Sequence, residues 1–398
     1  MNNSVTRLVL TALTFAAPSL FAQVDFKVAD RAVQVHSFGS QGFMYSNQNN
    51  YLSLPTSDGS FAFTDGGANI STQLTDKLRV GAQVYIRNVG EFGNWRPELD
   101  WAFGDYKFKN WFGIRAGKVK TALGLYNDVQ DMDSLHTFAL LPEAVYPIDW
   151  RSITIAHIGG DVYGNIEAKR LGTFAYTAYI GLRPQDPNSG YTYAAKGGGT
   201  TYDSLGGKQI GGDLRWTMPF GVVLGASYIQ QDITGIGAVT LAGVITPSHQ
   251  DTKADQMAQY YAQYTFKGFR FDAEYRRNLR DVNLYRNNVQ FFESIVDSRG
   301  SYFAGTYRVA KHLELGAYRS IYYVDTRKDT DPPAMHHFDT AVCARIDLNN
   351  HWYAKVEGHF VDGAPTSPSA SRGLYALSNP SGILPTTNLL VIRTGFSF

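Results

Sequence analysis

Apolar and polar residues alternate at period two through most of the chain. Leu78, Val80, Ala82, Val84 and Ile86 fall on one parity, and Arg79, Gln83, Tyr85 and Arg87 on the other. Phe269, Phe271, Ala273 and Tyr275 likewise oppose Arg270, Asp272, Glu274 and Arg276. Val342, Ala344, Ile346 and Leu348 oppose Asp339, Arg345 and Asp347, and Trp352, Ala354, Val356 and Phe360 oppose Tyr353, Lys355, Glu357 and His359. A strand points successive side chains to opposite faces, so each such segment of about ten residues predicts a strand with one apolar and one polar face. Helical periodicity is not evident after the amino-terminal segment.

The connections between these segments alternate in length. Short turns are expected at Thr75-Asp76-Lys77, Lys109-Asn110, Leu171-Gly172, Pro219-Phe220-Gly221, Lys267-Gly268, Ala310-Lys311 and Asn349-Asn350. Longer connections are expected near 45–60, 90–97, 121–150, 184–205, 233–254, 282–296, 325–336 and 363–387. Seven turns and eight loops imply sixteen strands, bounded by fourteen and eighteen, with both chain ends on the tight-turn side. In hydrocarbon an unpaired backbone amide or carbonyl is costly, so a spanning sheet must close on itself. The pattern therefore predicts an all-β fold, a closed antiparallel transmembrane β-barrel whose lumen is polar and wide enough for water.

Composition fits that reading. Tyr and Phe number 25 and 24, Gly 39, and mean hydropathy is slightly negative, at −0.23. Arg7 followed by the apolar run Leu8 to Ala17 and by Pro18 and Ala22 predicts a cleaved signal peptide over 1–22, leaving 23–398 as the barrel domain. Arg7 is the one charged residue in 1–22, so the remainder carries 35 basic against 35 acidic residues. That balance gives no case for nucleic acid. Cys343 is the sole cysteine, which excludes an internal disulfide.

The chain ends on Leu390, Ile392, Thr394, Phe396 and Phe398 alternating with Val391, Arg393, Gly395 and Ser397. An ending of this kind resembles the closing strand of Gram-negative outer-membrane β-barrels. The resemblance implies that Phe398 is part of the signal read by the barrel assembly machinery, and that outer-membrane lipid surrounds the protein.

The segment 121–150 holds Asp128, Asp131, Asp133, Glu143 and Asp149, with no Lys or Arg. It resembles, in position, length and acidity, the third loop of trimeric general porins, which folds inward and narrows the channel. The polar parity of the strands offers Arg79, Arg87, Arg115, Arg270, Arg276, Arg345, Lys355 and Arg393 to the lumen. An acidic loop facing a basic wall would set up a transverse field that sorts solutes by charge. In the bland reading the same arginines pair with Asp272, Glu274 or Asp347 to stiffen the wall. Asp128, Asp131 and Asp133 lack the glycine and terminal Glu of a calcium-binding hand, so no metal or cofactor is expected.

Gly117-Lys118-Val119-Lys120-Thr121-Ala122-Leu123-Gly124-Leu125 looks like a segment of phosphate- and pyrophosphate-selective porins. Val33-Gln34-Val35-His36-Ser37-Phe38-Gly39-Ser40-Gln41-Gly42 is similar to the opening of the DcaP-like trimeric porins, which take up small organic anions. By alternation Lys118 and Lys120 fall on the lipid side, so they belong to the pore lining only if a bulge switches parity. Trp101, Phe103, Trp111, Phe112, Trp216, Phe220, Phe266, Phe269 and Trp352 cluster at the tight-turn ends, as an interfacial girdle would. Neither Gly-x-Ser-x-Gly nor His-Glu-x-x-His occurs, and the adjacent His336 and His337 near Asp339 point to opposite faces of a strand. The sequence thus favours a non-enzymatic diffusion porin for small hydrophilic solutes, homotrimeric by resemblance, over a structural or adhesion barrel.

Overall fold

The computed structural model describes residues 24–28, 31–183, 189–327, 329–366 and 377–398; the expected signal peptide lies outside them. The strands are β1 (Val24–Val28), β2 (Arg31–Ser46), β3 (Ser60–Gln73), β4 (Leu78–Val89), β5 (Glu98–Lys109), β6 (Phe112–Lys120), β7 (Ala156–Glu167) and β8 (Thr173–Arg183). They continue as β9 (Thr200–Thr217), β10 (Val222–Leu241), β11 (Val244–Phe266), β12 (Phe269–Arg286), β13 (Val289–Ala310), β14 (Leu313–Tyr323), β15 (His336–Asp347), β16 (Trp352–Gly363) and β17 (Thr386–Ser397). Every pairing is between sequence neighbours and antiparallel, apart from the closing pair, where β17 joins β2 with Arg393 opposite Gly42. Sixteen strands, β2 to β17, therefore form a closed ring, with β1 paired to the start of β2. Closure leaves no free edge around the ring, which is what a bilayer requires of a β-protein.

All seven tight turns fall where the alternation breaks. Two expected loops are sheet instead. Residues 233–254 are carried almost entirely by β10 and β11, which meet at Ala242-Gly243, and 282–296 by β12 and β13, which meet at Asn287-Asn288. Both residues of each pair have positive φ (48° and 80°; 48° and 62°), the mirror-image turn that matches strand twist. Gly243 takes such a φ without strain, while the alternation continues on both sides in Val, Ile and Thr. Two short helices were also not expected: α1 (Arg151–Thr154), and α2 (Gly190–Gly197), capped by the Ser189 side chain accepting from Thr192 N.

The outward parity is apolar, with Leu214, Leu224, Tyr260, Phe271 and Phe303 exposed. Aromatic rings pack along its tight-turn end, Phe174 on Trp216 at 5.4 Å and Phe269 on Tyr307 at 4.1 Å. Trp101 and Phe103 do not belong to that girdle. A bulge opposite Gln83 and Val84 leaves Asp100 as an extra residue, and Phe103 turns inward beneath the Arg115 guanidinium at 5.0 Å. On the inner face tyrosine rings lie over glycines of the next strand. A Cβ on Gly225 would sit 2.1 Å from Tyr261, and one on Gly395 2.2 Å from Tyr353.

Candidate functional site

The connection from Thr121 to Ile155 has no strand of its own, and its residues are largely buried. Its first turn is fixed at Gly124, where the backbone has φ +65° and a Cβ would meet Gln259 Nε2 at 1.9 Å. Gly124 N donates to Ser227 Oγ of β10 at 2.9 Å, and Arg215 Nη2 of β9 donates to Gly124 O at 3.0 Å. Glu274 of β12 accepts from Leu125 N at 3.1 Å and from the Tyr146 hydroxyl, and Asp272 accepts from the Tyr126 hydroxyl. The root of the segment and its return limb are thus tied to the same strand.

The middle reaches the opposite wall. Asp131 accepts from the Lys120 amine and from Gln83 Nε2 of β4, while Arg151 Nη2 donates to Asp100 Oδ1 of β5 at 2.7 Å. In the ring β4 and β12 are eight strands apart, half of the sixteen. Bonds to both place this connection across the barrel interior.

Asp133 turns toward β16 and β17. Its Oδ1 accepts from Lys355 Nζ at 2.8 Å and lies 3.1 Å from Arg393 Nη1, and Arg393 Nη2 also reaches Asp65 at 2.7 Å. Lys355 has no solvent exposure. Arg345 Nη1 donates to Ser134 O and His136 O, Glu357 accepts from Ala139 N and Leu140 N, and Cys343 Sγ donates to Thr137 O. Phe138, Ala144 and Val145 pack against Tyr302, Tyr318 and Ala341, and Gly300 lets the backbone pass so closely that a Cβ would meet Ala144 O at 2.0 Å. Burial works to raise the Asp133 carboxyl, but Arg393 and Lys355 more than offset it and hold it below its ordinary value. Burial, with Lys355 nearby, pushes the His136 imidazole down to about 3, so the ring is neutral.

No family model matches the chain, and no curated protein matches it. Solved structures do. Outer-membrane expressed OmpT of Vibrio cholerae superposes with a TM-score of 0.59 at 12% identity, covering 94% of this chain and 100% of that one. The anion-selective porin from Comamonas acidovorans gives 0.54 at 11%, covering 92% and 100%. The outer membrane channel DcaP of Acinetobacter baumannii gives 0.52 at 10%, covering 94% and 99%. This is the porin fold.

Within this porin-fold barrel the anticipated site residues separate into groups. Lys120, Arg270, Arg345, Lys355 and Arg393 grip the 121–155 connection directly, Arg270 through Thr137 Oγ1 at 3.1 Å. Acidic loop and basic wall are therefore in contact at Asp131 and Asp133, where facing rows across a gap were expected. Arg115 lies on the wall between Asp105 and Asp161 at 3.6 and 3.9 Å, and Arg87 is buried opposite Asp65 in the register. Arg79 is exposed near the tight turns and donates to Ser71 Oγ, and Arg276 is buried on the inner face of β12. Asp128 is exposed, Glu143 accepts from the Tyr51 hydroxyl at 2.7 Å, and Asp149 is buried against Gly190.

Lys118 is not on the lumen side. It stands in register with Ala102 and the outward Ile158, and its amine donates to Leu99 O at the rim. Alternation fails after Val119, which is how Lys120, of the same nominal parity, reaches Asp131. The three aspartates weighed as a calcium cluster part company: Asp131 goes to β4–β6, Asp133 to β16–β17, and Asp128 to solvent. Asp339 bonds His359 at 2.9 Å and Tyr318 at 3.0 Å, and His337 Nδ1 instead meets Ala364 O. Sequence reasoning missed Arg215, Arg151 and Gln83 as anchors. Gln83 and Arg215 alternate correctly, but nothing local marks what they will bond.

Proposed function

We propose that the protein is a passive outer-membrane diffusion channel for small hydrophilic solutes, non-enzymatic and trimeric, that favours small organic or phosphate-like anions. The observation that carries this reading is the 121–155 connection, bonded to strands half a ring apart inside a closed sixteen-strand barrel. A segment so tied leaves the passage only the space beside it, and it sets a size limit without any moving part. For charge, the loop carboxylates Asp131 and Asp133 are committed to cations. Arg79 and Arg276, on lumen-facing positions, have no ion-pair partner among the described residues, which supports anions.

A trimer is supported by the outer face of β17, β2 and β3. Thr394, Gln41 and Thr64 run beside Gly39, Gly66 and Ala68, and Thr64 Oγ1 donates to Gln41 Oε1 at 2.6 Å. Polar and small residues suit close contact with another protein surface better than contact with lipid tails. The test is single-channel conductance and reversal potential in a planar bilayer under a salt gradient. Steps in groups of three with an anion-favouring reversal are expected. A cation-favouring reversal overturns the selectivity, and silence from folded, inserted protein overturns the channel in favour of a structural barrel.

A further inference from the structure

Beyond the 121–155 connection, at the end of the barrel away from the tight turns, β10 to β13 extend as tall hairpins. They enclose a cavity of about 460 Å³. Its size is that of a small-molecule site, and much of its wall is apolar: Val282 and Leu284 of β12, Phe292 and Val296 of β13, and Val324. Two arginines interrupt that wall, both on the inward parity of β12. Arg280 is 5% exposed and its guanidinium lies 5.0 Å over the Trp150 ring. Arg286 lies 3.9 Å over Phe291. The Nε of each is buried without a partner, and neither arginine makes a hydrogen bond or ion pair with a described residue.

A buried guanidinium nitrogen without a partner, as at the Nε of Arg280, is the exception in folded proteins, and it asks for an occupant. Stacking on an indole leaves the edge of the guanidinium free, the edge that binds carboxylate through two parallel hydrogen bonds. The one carboxylate of the lining is Asp325, and its Oδ1 already accepts from Asp297 N and Arg327 N. Arg280 and Arg286 stand six residues apart on one strand, about 20 Å along its length, with Val282 and Leu284 between them. An amphipathic molecule fits that order.

We propose that this cavity captures a monocarboxylate with an apolar body, such as an aromatic or medium-chain acid. The carboxylate is held on Arg280, the body lies along Val282 and Leu284 facing Phe292, and Arg286 draws the anion in at the lip. The proposal rests on the channel reading only in making this a station ahead of the pore. Recognition by charge alone would hold acetate equally well, whereas each buried methylene adds roughly a fourfold gain in affinity.

The experiment uses the full-length protein in lipid nanodiscs, with calorimetric titration of 3-phenylpropionate, acetate and neutral 3-phenylpropanamide. Phenylpropionate is expected to bind at least about tenfold more tightly than either comparator, and Arg280→Gln to lose about tenfold. Leu284→Asn, near the hairpin tip, is expected to weaken phenylpropionate about fourfold and leave acetate unchanged. Should Arg280→Gln fail to fold, Leu284→Asn and the two comparators carry the test. Equal binding of phenylpropionate and acetate, or of phenylpropionate and its amide, overturns the proposal, as does full binding by a folded Arg280→Gln. Potassium chloride conductance of the same preparations separates the two readings. A conducting protein that does not bind phenylpropionate loses the pocket and keeps the channel, and a silent one that binds it does the reverse.

Discussion

The connections 121–155 and 233–254 both read as long loops, and they end as opposites. The second is sheet: β10 and β11 stay in register up to Leu241 opposite Val244, bonded to each other and standing out from the barrel. The first makes few regular backbone bonds and takes its partners from the wall, through Asp131, Asp133, Tyr126, Tyr146 and Arg151. The difference lies in what satisfies the backbone. A segment that keeps its alternation pairs with itself, and one that does not must find donors and acceptors elsewhere. Inside a barrel those are the side chains of the lumen.

The comparison can be broken hardest at Lys355. Its amine is fully buried and holds Asp133 Oδ1, Asp133 O and Phe138 O at 2.8 to 3.0 Å. Lys355→Met leaves Asp133 with Arg393 as its one cationic partner and Phe138 O without the donor it has now. Removing one member of a buried pair costs about 3–5 kcal/mol. The expected outcome is a lowered unfolding midpoint in denaturant and a larger, noisier single-channel conductance, because the loop leaves its seat. Unchanged conductance with lowered stability would mean that the seat is structural and does not size the passage.

Gly300 tests the same seat without touching charge. Gly300→Val places side-chain atoms where Ala144 O now lies, an overpacking that costs about 1–3 kcal/mol. Phe138 and Val145 sit in the same cluster, so the return limb is expected to shift while Asp131 and Asp133 stay bound. Conductance should rise less than for Lys355→Met. No change in stability would show that the limb yields freely there.

Acid gives a graded version. The Asp133 carboxyl is held below its ordinary value, so its charge persists where an unconstrained aspartate has begun to protonate. Its stabilising contribution is complete above the unfolded pKa and is lost as pH falls through the lowered folded one. Conductance is therefore expected to hold steady from neutral pH to about 4, near the ordinary aspartate value, and to become noisy below it. Noise beginning well above that range would assign the seat to another group.

How much of this was legible follows from where the information sits. Strand positions, turns and inner parity are local, and Arg345, Lys355 and Arg393 were read onto the lumen face from alternation alone. Their bonds are not local: Lys355 meets Asp133 222 residues away, and no spacing rule connects them. Lys118 keeps the outward parity that alternation gives it; counting it in the pore lining required a switch of parity, and that switch comes only after Val119, where Lys120 turns to Asp131. The tall hairpins were missed for a different reason. Ala242-Gly243 and Asn287-Asn288 are turn pairs in mirror-image geometry, and they look like loop interior when the strands around them are assumed to stop at the membrane.

The smallest effect tests the other half of the comparison. Ala242 sits at φ 48°, a left-handed conformation that costs an L-residue with a Cβ about 1–2 kcal/mol and that Asn tolerates better. Ala242→Asn is expected to strengthen the β10–β11 tip by a few tenths of a kcal/mol to about 1 kcal/mol. Slower amide exchange from Val239 to Thr246 would show it, with conductance unaltered. If the tip and the 121–155 seat are independent, this substitution and Lys355→Met should add without coupling, since Ala242 and Lys355 share no bonding partner among the described residues and distant sites sum to within about 0.3–0.5 kcal/mol. A larger departure from additivity would mean that the hairpin leans on the loop, and that the two connections share one structure after all.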